Sequence, residues 1–309
     1  MKPLVALSGL FYPVAILRYF ESALLRRTDI DFVTVGPDFG TWLPWKSGMH
    51  LGYTVRTVDI PLPRVTSDQP PVQFAEAKIR SRLGRLPDLW LQVDAGYHFS
   101  GKPVSGCSVI VATDPHVLNY DRQRTLADYF YCMQTPYAKS DDRYFPYAYD
   151  VFWHRRIGDD ERPTEPTYDA SLCGLVYSNR LSWASLLRGR GYKVFLDTGP
   201  SYGDARKIYA ESVTGFNWSS KKDTVARCFE LMAMGVPSPM NRTSDLLRLF
   251  RDGEHFLGFD SVGEAAQASI SLIESEALRN EIRSKALEAV EPHTYDARVE
   301  TILRDVQII

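Results

Sequence analysis

Short apolar runs along this chain alternate with stretches of helical periodicity, and turn residues mark each change from one to the other. Residues 4–8 (LVALS) read as a buried strand, Gly9 as the turn after it, and residues 13–27 as an amphipathic helix with Pro13 in its first turn. A second strand at 31–35 ends at Gly36-Pro37, and this β–turn–α–β opening predicts the start of a Rossmann-like parallel sheet. A helix at 73–83 and strands at 89–93, 109–112 and 129–133 continue it, and residues 143–149 lead out of the domain. From residue 169 the alternation restarts, with strands at 171–176, 193–196 and 213–217 and helices at 182–188 and 207–211. Helices at 261–274 and 276–290 and a tail helix from Tyr295 close the chain. The pattern predicts an α/β protein with two parallel sheets, the second with helices on both faces. Gly9 stands alone, without a full G-x-G-x-x-G, so the opening does not by itself announce a dinucleotide site.

Composition narrows this picture. A length of 309 residues suits two domains, and 44% hydrophobic with 24% charged residues is the balance of a soluble globular protein. A formal net charge of −2 points to neither nucleic acid nor an anionic membrane, and the basic clusters at 78–85 and 154–156 read as solvated faces or linker. Cys107, Cys132, Cys173 and Cys228 lack metal-ligand spacing and sit in apolar contexts, which suits buried free thiols in a reducing cytoplasm. Residues 4–17 are interrupted by Ser8 and Pro13 and precede no small-residue cleavage site, so they are not read as a signal peptide. No run reaches the length of a membrane span. Residues 155–168 are charged, proline-bearing and aperiodic, which places a linker at 157–168 between domains at 1–156 and 169–292. Asp159-Asp160-Glu161 reads as a solvated part of it, and no metal site is expected. Residues 38–72, with Trp42, Trp45, Tyr53 and several prolines, read as a binding loop or a packed surface loop.

Candidate chemistry follows from position. Ligands of open α/β sheets sit beyond the carboxyl ends of the strands, which singles out Asp94 after one strand and Asp114-Pro115-His116 after the next. Asp114-Pro115 reads equally as a turn cap. In the second half, Tyr177-Ser178-Asn179-Arg180 offers helix-start amides and a guanidinium to an anion, or else an ordinary N-cap with a surface arginine. The stretch 211–240 is the most informative. Ser220 with Asp223 fits a capping box, Gly235 and Pro237 sign the helix end, and Val225, Phe229 and Met232 turn inward. Arg227 and Glu230 lie one turn apart on another face. The arginine, nearer the positive helix end, suits phosphate, and the carboxylate can accept two hydrogen bonds from a vicinal diol such as a ribose. An exposed i,i+3 ion pair is the plainer reading of the same spacing.

The string Arg227-x-Phe229-Glu230-x-x-Ala233-x-Gly235, then Asp245-x-x-x-Leu249-Phe250-x-x-Gly253 and Phe259-Asp260-Ser261-x-x-Glu264, resembles the donor-binding half of group 1 glycosyltransferases. It looks closest to the branch of spore-maturation glycosyltransferase-like proteins, whose ending is similar to His293-Thr294-Tyr295-x-x-Arg298-x-x-x-Ile302-Leu303. The resemblance covers residues 169–304 and is weak over 1–150. It implies a GT-B-like α/β fold of two Rossmann-like domains with parallel sheets facing across a cleft, with residues 293–309 crossing back to the first. The implied reaction moves a sugar from a nucleotide-diphosphate sugar, bound by the second domain, to an acceptor hydroxyl on the first. Ser178, Asn179 and Arg180 would then serve the diphosphate and Tyr202 the base, with Asn217 lining the same site beside Arg227 and Glu230. Gly9 would let backbone approach the sugar or acceptor, with Asp94 nearby, and Asp114 or His116 would be the base of an inverting transfer; a retaining one needs none. Arg180, Arg227 and helix amides would meet the leaving-group charge without a divalent metal, and no cofactor beyond the sugar donor is implied.

One departure stands out: many members carry a second acidic residue eight positions before the one matched by Glu230, where this chain has Lys222. Rival readings are a nucleotide-sugar epimerase, which consumes donor without acceptor, and a non-catalytic binding protein with a decayed cleft. The acceptor is open among a saccharide, a small molecule and DNA, the last drawing on the 78–85 cluster and the aromatic loop.

Overall fold

The computed structural model describes residues 1–38, 56–63, 70–94, 97–219, 221 and 223–309. Trp42, Trp45, Tyr53, Ser220 and Lys222 lie outside the described residues. Two compact units result: one runs up to Pro146 and includes Tyr295–Ile309, the other is Tyr147–Thr294.

The first unit is built on a seven-stranded sheet. In chain order its elements are β1 (Leu4–Ser8), α1 (Ile16–Leu25), β2 (Asp31–Gly36), β3 (Ile60–Pro61), α2 (Val72–Leu83), β4 (Leu89–Asp94), β5 (Cys107–Ala112), α3 (Asp121–Leu126), β6 (Tyr129–Cys132) and β7 (Arg143–Tyr144). The strands lie in the order β3-β2-β1-β4-β5-β6-β7, every neighbour parallel. All five residues of β1 are buried, because a central parallel strand is covered on both faces. From β1 the chain steps to β2 and β3 on one side and resumes with β4 on the other, so the order reverses between β1 and β4. Gly9 sits at that switch point with φ +149°, and a side chain there would collide with the Val93 carbonyl oxygen of β4. The first helix starts at Ile16, after Pro13 and after Val14 in the left-handed region, so the proline precedes the helix rather than opening it.

The second unit contains β8 (Tyr168–Cys173), α4 (Ser178–Arg188), β9 (Val194–Asp197), α5 (Tyr202–Ala210), β10 (Ser212–Gly215), α6 (Ala226–Ala233), β11 (Pro239–Asn241), α7 (Ser244–Leu249), β12 (Leu257–Phe259), α8 (Val262–Glu274) and α9 (Glu276–Val290). Its strands form a parallel sheet in the order β10-β8-β9 and a parallel pair β11-β12, joined to β10 by a bridge between Asn217 and Met240. Strands β11 and β12 were not expected from the sequence; three residues each give no measurable alternation. Trp183, Phe216 and Phe259 stack at the core, with centroids 3.7 and 5.4 Å apart, and the Trp183 indole N–H donates to Ser269 Oγ at 2.9 Å.

Two boundaries move. Residues 157–168, expected as the linker, pack inside the second unit: the Ile157 amide donates to the Met234 carbonyl, and Glu161 takes a two-pronged bond from Arg206 of α5. A charged stretch is not a free one when its charges have buried partners. Helix α6 begins at Ala226, not near Ser220. The Asp223 carboxylate instead accepts from the Ser219 hydroxyl and the Lys221 amide, folding the loop ahead of the helix. The helix end is as signed: Gly235 is left-handed at φ +68°, its N–H donates to Met232, and the Val236 N–H reaches back to Leu231. The last helix, α10 (Tyr295–Asp305), belongs to the first unit, where Tyr295 packs on Tyr19 and Phe20 of α1.

Candidate functional site

Strand order also reverses in the second unit, between β8 and β10, and the candidate side chains gather there. Beyond β8 comes Gly174 at φ +153°, whose missing side chain leaves room for the Arg227 guanidinium; a Cβ would collide with Arg227 Nη2. Arg227 is the second residue of α6, and its Nη1 donates to Asn217 Oδ1 at 3.2 Å. Asn217 is buried just after β10. Its own amide donates to Cys228 Sγ at 3.3 Å, and its main chain bonds Pro239 and Asn241 on the β11 side.

Arg180 lies beside this group but faces protein. Its Nε and Nη2 donate to the Trp218 carbonyl and its Nη1 to the Leu175 carbonyl at 2.6 Å, so it ties the turn after β8 to the loop after β10. Burial, and then the charge of Arg227, pull its pKa down to about 9. It remains a cation at neutral pH. Among the described residues, neither Arg180 nor Arg227 makes an ion pair with a carboxylate; their hydrogen bonds go to carbonyl or amide oxygens, and the Arg180 guanidinium also lies 4.9 Å from the centre of the Tyr177 ring. Two neighbouring guanidiniums without an ion-paired carboxylate among the described residues, at the carboxyl end of a parallel strand, favour an anion there. Burial and nearby Asp197 and Asp204 push the Cys173 thiol up, against a lowering by Arg227, to about 12, so that sulfur is an inert part of the wall.

Glu230 does not pair with Arg227. Its carboxylate lies 3.6 Å from His154 Nε2 and is partly exposed, while Arg227 turns to Asn217. The plain surface-pair reading of the i,i+3 spacing is thereby removed. Ser178 is exposed and Asn179 half-buried at the start of α4, where Tyr177 caps without a side-chain bond. Tyr202 is placed differently from expectation. It opens α5 at φ +48°, is 5% exposed and packs its ring 4.7 Å from Trp153, so no open face is turned to a base.

In the first unit, Gly9 and the main chain of Asp94 mark the carboxyl ends of β1 and β4; Asp94 is level with Ala112 of β5. Asp114 and His116 follow β5. The Asp114 carbonyl accepts from the Val117 and Leu118 amides, which is the turn-capping function, while its carboxylate accepts from the Thr113 hydroxyl at 3.0 Å. The His116 ring is 6.1 Å from that of Tyr137.

Three solved structures share the architecture over nearly the whole chain. Sucrose-phosphate synthase from Thermosynechococcus elongatus has a TM-score of 0.61 at 11% identity, covering 99% of each chain. An alpha-glucosyltransferase solved with UDP and a 13-mer DNA containing a HMU base has a TM-score of 0.63 at 8% identity, again covering 99% of each. HepE of Anabaena, solved with UDP and glucose, has a TM-score of 0.62 at 12% identity, covering 97% of this chain and 100% of its own. Residues 168–304, the stretch that holds Arg180, Arg227 and Glu230, match the family described as glycosyl transferase-like. The chain has the GT-B fold of these structures. No curated protein matches it in sequence. None of the matches separates out the spore-maturation branch.

Two parts of this candidate site are not singled out by the sequence pattern. His154, which the sequence groups with Arg155 and Arg156 as a solvated basic cluster, is 7% exposed; its apolar neighbours Phe152-Trp153 are the available signal. Gly174 follows the first strand of its unit as Gly9 does, and that repetition is visible in the sequence. Among the described residues, no helix is long and apolar enough to cross a membrane.

Proposed function

We propose that this protein is a glycosyltransferase that moves a sugar from a nucleoside-diphosphate sugar, held by the second unit, to an acceptor hydroxyl held by the first. The observation that carries the donor site is the pair Arg227 and Arg180, two adjacent cations without an ion-paired carboxylate among the described residues, with the Glu230 carboxylate, 3.6 Å from His154 Nε2, one helical turn beyond. In transfer, the bond from the anomeric carbon to the diphosphate oxygen breaks, the acceptor oxygen bonds to that carbon, and the acceptor proton leaves to a base. Charge grows on the diphosphate. Arg227 meets it directly, Arg180 raises the local potential from behind, and the first amides of α4, beside Ser178 and Asn179, add donors. Glu230 accepts from the ribose diol. The arginines supply the charge that a divalent cation supplies elsewhere, so donor binding should survive EDTA; chelator-sensitive affinity restored by Mg²⁺ or Mn²⁺ would refute this part. Asp114 or His116 takes the proton if the transfer inverts.

The two similar structures solved with UDP support UDP as the first nucleotide to try. A DNA acceptor draws support from one of them, but two arginines of the basic cluster are engaged within the first unit: Arg82 donates to the Asp59 carbonyl, and Arg85 pairs with Asp31. We therefore leave the acceptor as a hydroxyl compound, with cytoplasmic free thiols as the setting. The test is a titration of UDP and of uridine into Glu230→Ala and Arg227→Ala. Hydrogen bonds to a charged group contribute about 1.5–3 kcal/mol, so Glu230→Ala should lose roughly ten- to a hundred-fold for both ligands. Arg227→Ala should lose affinity for UDP and hardly any for uridine. Unchanged UDP binding by Glu230→Ala would overturn the donor site.

A further inference from the structure

We propose that His154 is a positioning residue for Glu230, presetting its carboxylate to receive the ribose diol; this rests on the donor-site reading above. The histidine comes from the segment entering the second unit, far in sequence from α6, and its ring is held by its own turn. The His154 amide donates to the Asp150 carbonyl at 2.9 Å, and the Asp150 amide donates back to His154 Nδ1 at 3.1 Å. The buried Asp150 carboxylate accepts from the Phe152 and Trp153 amides at 3.0 and 3.1 Å, so the loop between them is fixed too.

That bonding decides the tautomer. A ring nitrogen that accepts a main-chain N–H carries no proton of its own, so the imidazole proton sits on Nε2. Nε2 is the atom that faces Glu230 Oε1, at 3.6 Å. The distance is longer than a hydrogen bond, but the terminal carboxylate torsion is soft, and a modest rotation brings Oε1 within reach of the donor. A carboxylate offers about four lone-pair sites. With one engaged by Nε2–H, its plane is fixed, and the second oxygen and the remaining lone pair are left for the two diol hydroxyls. Without the histidine, the carboxylate must be ordered by the ligand itself, at a cost in side-chain entropy drawn from affinity. Arg227 is not placed for this job, since its guanidinium turns to Asn217.

Two substitutions separate positioning from loop structure. His154→Asn retains an oxygen near the Nδ1 position for the Asp150 amide but is too short to reach Glu230. His154→Gln retains an N–H near the Nε2 position. In calorimetric titration of the full chain with UDP, His154→Asn should bind about three- to ten-fold more weakly at an unchanged melting temperature, and His154→Gln should bind within about two-fold of the parent. In a Glu230→Gln background, His154→Asn should cost nothing further. Parent-like binding by His154→Asn overturns the inference, as do losses that add in full to those of Glu230→Gln, a cycle that decides the matter even if His154→Gln folds poorly. If Glu230→Gln itself binds UDP like the parent, the donor-site reading fails instead, so the two failures are distinct.

Discussion

Each unit of the protein ends its first strand in a glycine of nearly the same conformation, and the two glycines make room for different things. Gly9 after β1 has φ +149° and Gly174 after β8 has φ +153°, each beside the point where strand order reverses. At Gly9 the missing side chain admits backbone, the Val93 carbonyl of the neighbouring strand. At Gly174 it admits a cation, the end of Arg227. The same turn therefore frames a space walled by main chain in the first unit and one walled by charge in the second. A switch point in an α/β sheet offers a place for a ligand, and the side chains brought beside the glycine decide which ligand. On this comparison the first unit should act on turnover and the second on affinity for the nucleotide.

The largest effect expected is on the rate. Asp114→Asn or His116→Ala should lower turnover by about 10²–10⁴-fold if either is the base, and should leave UDP affinity nearly untouched. Steady-state rates set beside titrations read both quantities. A fall in affinity matching the fall in rate would erase the division of labour between the units.

Next come the glycines themselves. Gly9→Ala drives a methyl group into a rigid carbonyl and strains the backbone, so a loss of about 3 kcal/mol or more is expected in denaturant unfolding. Gly174→Ala meets only the end of a flexible side chain, so its cost should be the backbone strain of about 1–3 kcal/mol. Its signature is different: UDP affinity should fall while uridine affinity holds, because Arg227 is displaced. Equal stability losses with unchanged nucleotide binding would show that the two turns are equivalent after all.

The smallest effect belongs to the stretch first read as a linker. The Arg206 guanidinium, together with the Gly158 amide, holds the Glu161 carboxyl down at about 2, below its ordinary 4.5. A lowered folded value means that this contribution is complete above pH about 4.5 and is lost as pH falls toward 2. Glu161→Gln should therefore flatten the acid side of the stability profile between those values and leave its slope near neutrality unchanged. An identical acid limb in the variant would mean that residues 157–168 are as loosely held as their composition suggests.

Much of the architecture could be read before any coordinates. Alternating strand and helix signals lay in the right order in both units, since buried parallel strands are nearly continuous apolar runs and are easily read. The end of α6 was legible for the same local reason: a left-handed glycine followed by a proline has few other uses. So was the relation between Arg227 and Glu230, because helical spacing alone puts them a turn apart. What the helix spacing left open was their partners. An arginine and a glutamate at i,i+3 attract one another, and only the tertiary structure shows Arg227 drawn to Asn217 beside Gly174 and Glu230 turned to His154. Likewise, the folded loop turns the Asp223 carboxylate to the Ser219 hydroxyl ahead of the helix, and Tyr202 has a ring suited to stacking that the fold buries against Trp153. The division has one physical cause. Backbone propensity and periodicity are properties of a few consecutive residues, whereas the partner of a charge is whatever the fold brings within a few ångströms. For His154 and Glu230 that partner is 76 positions away.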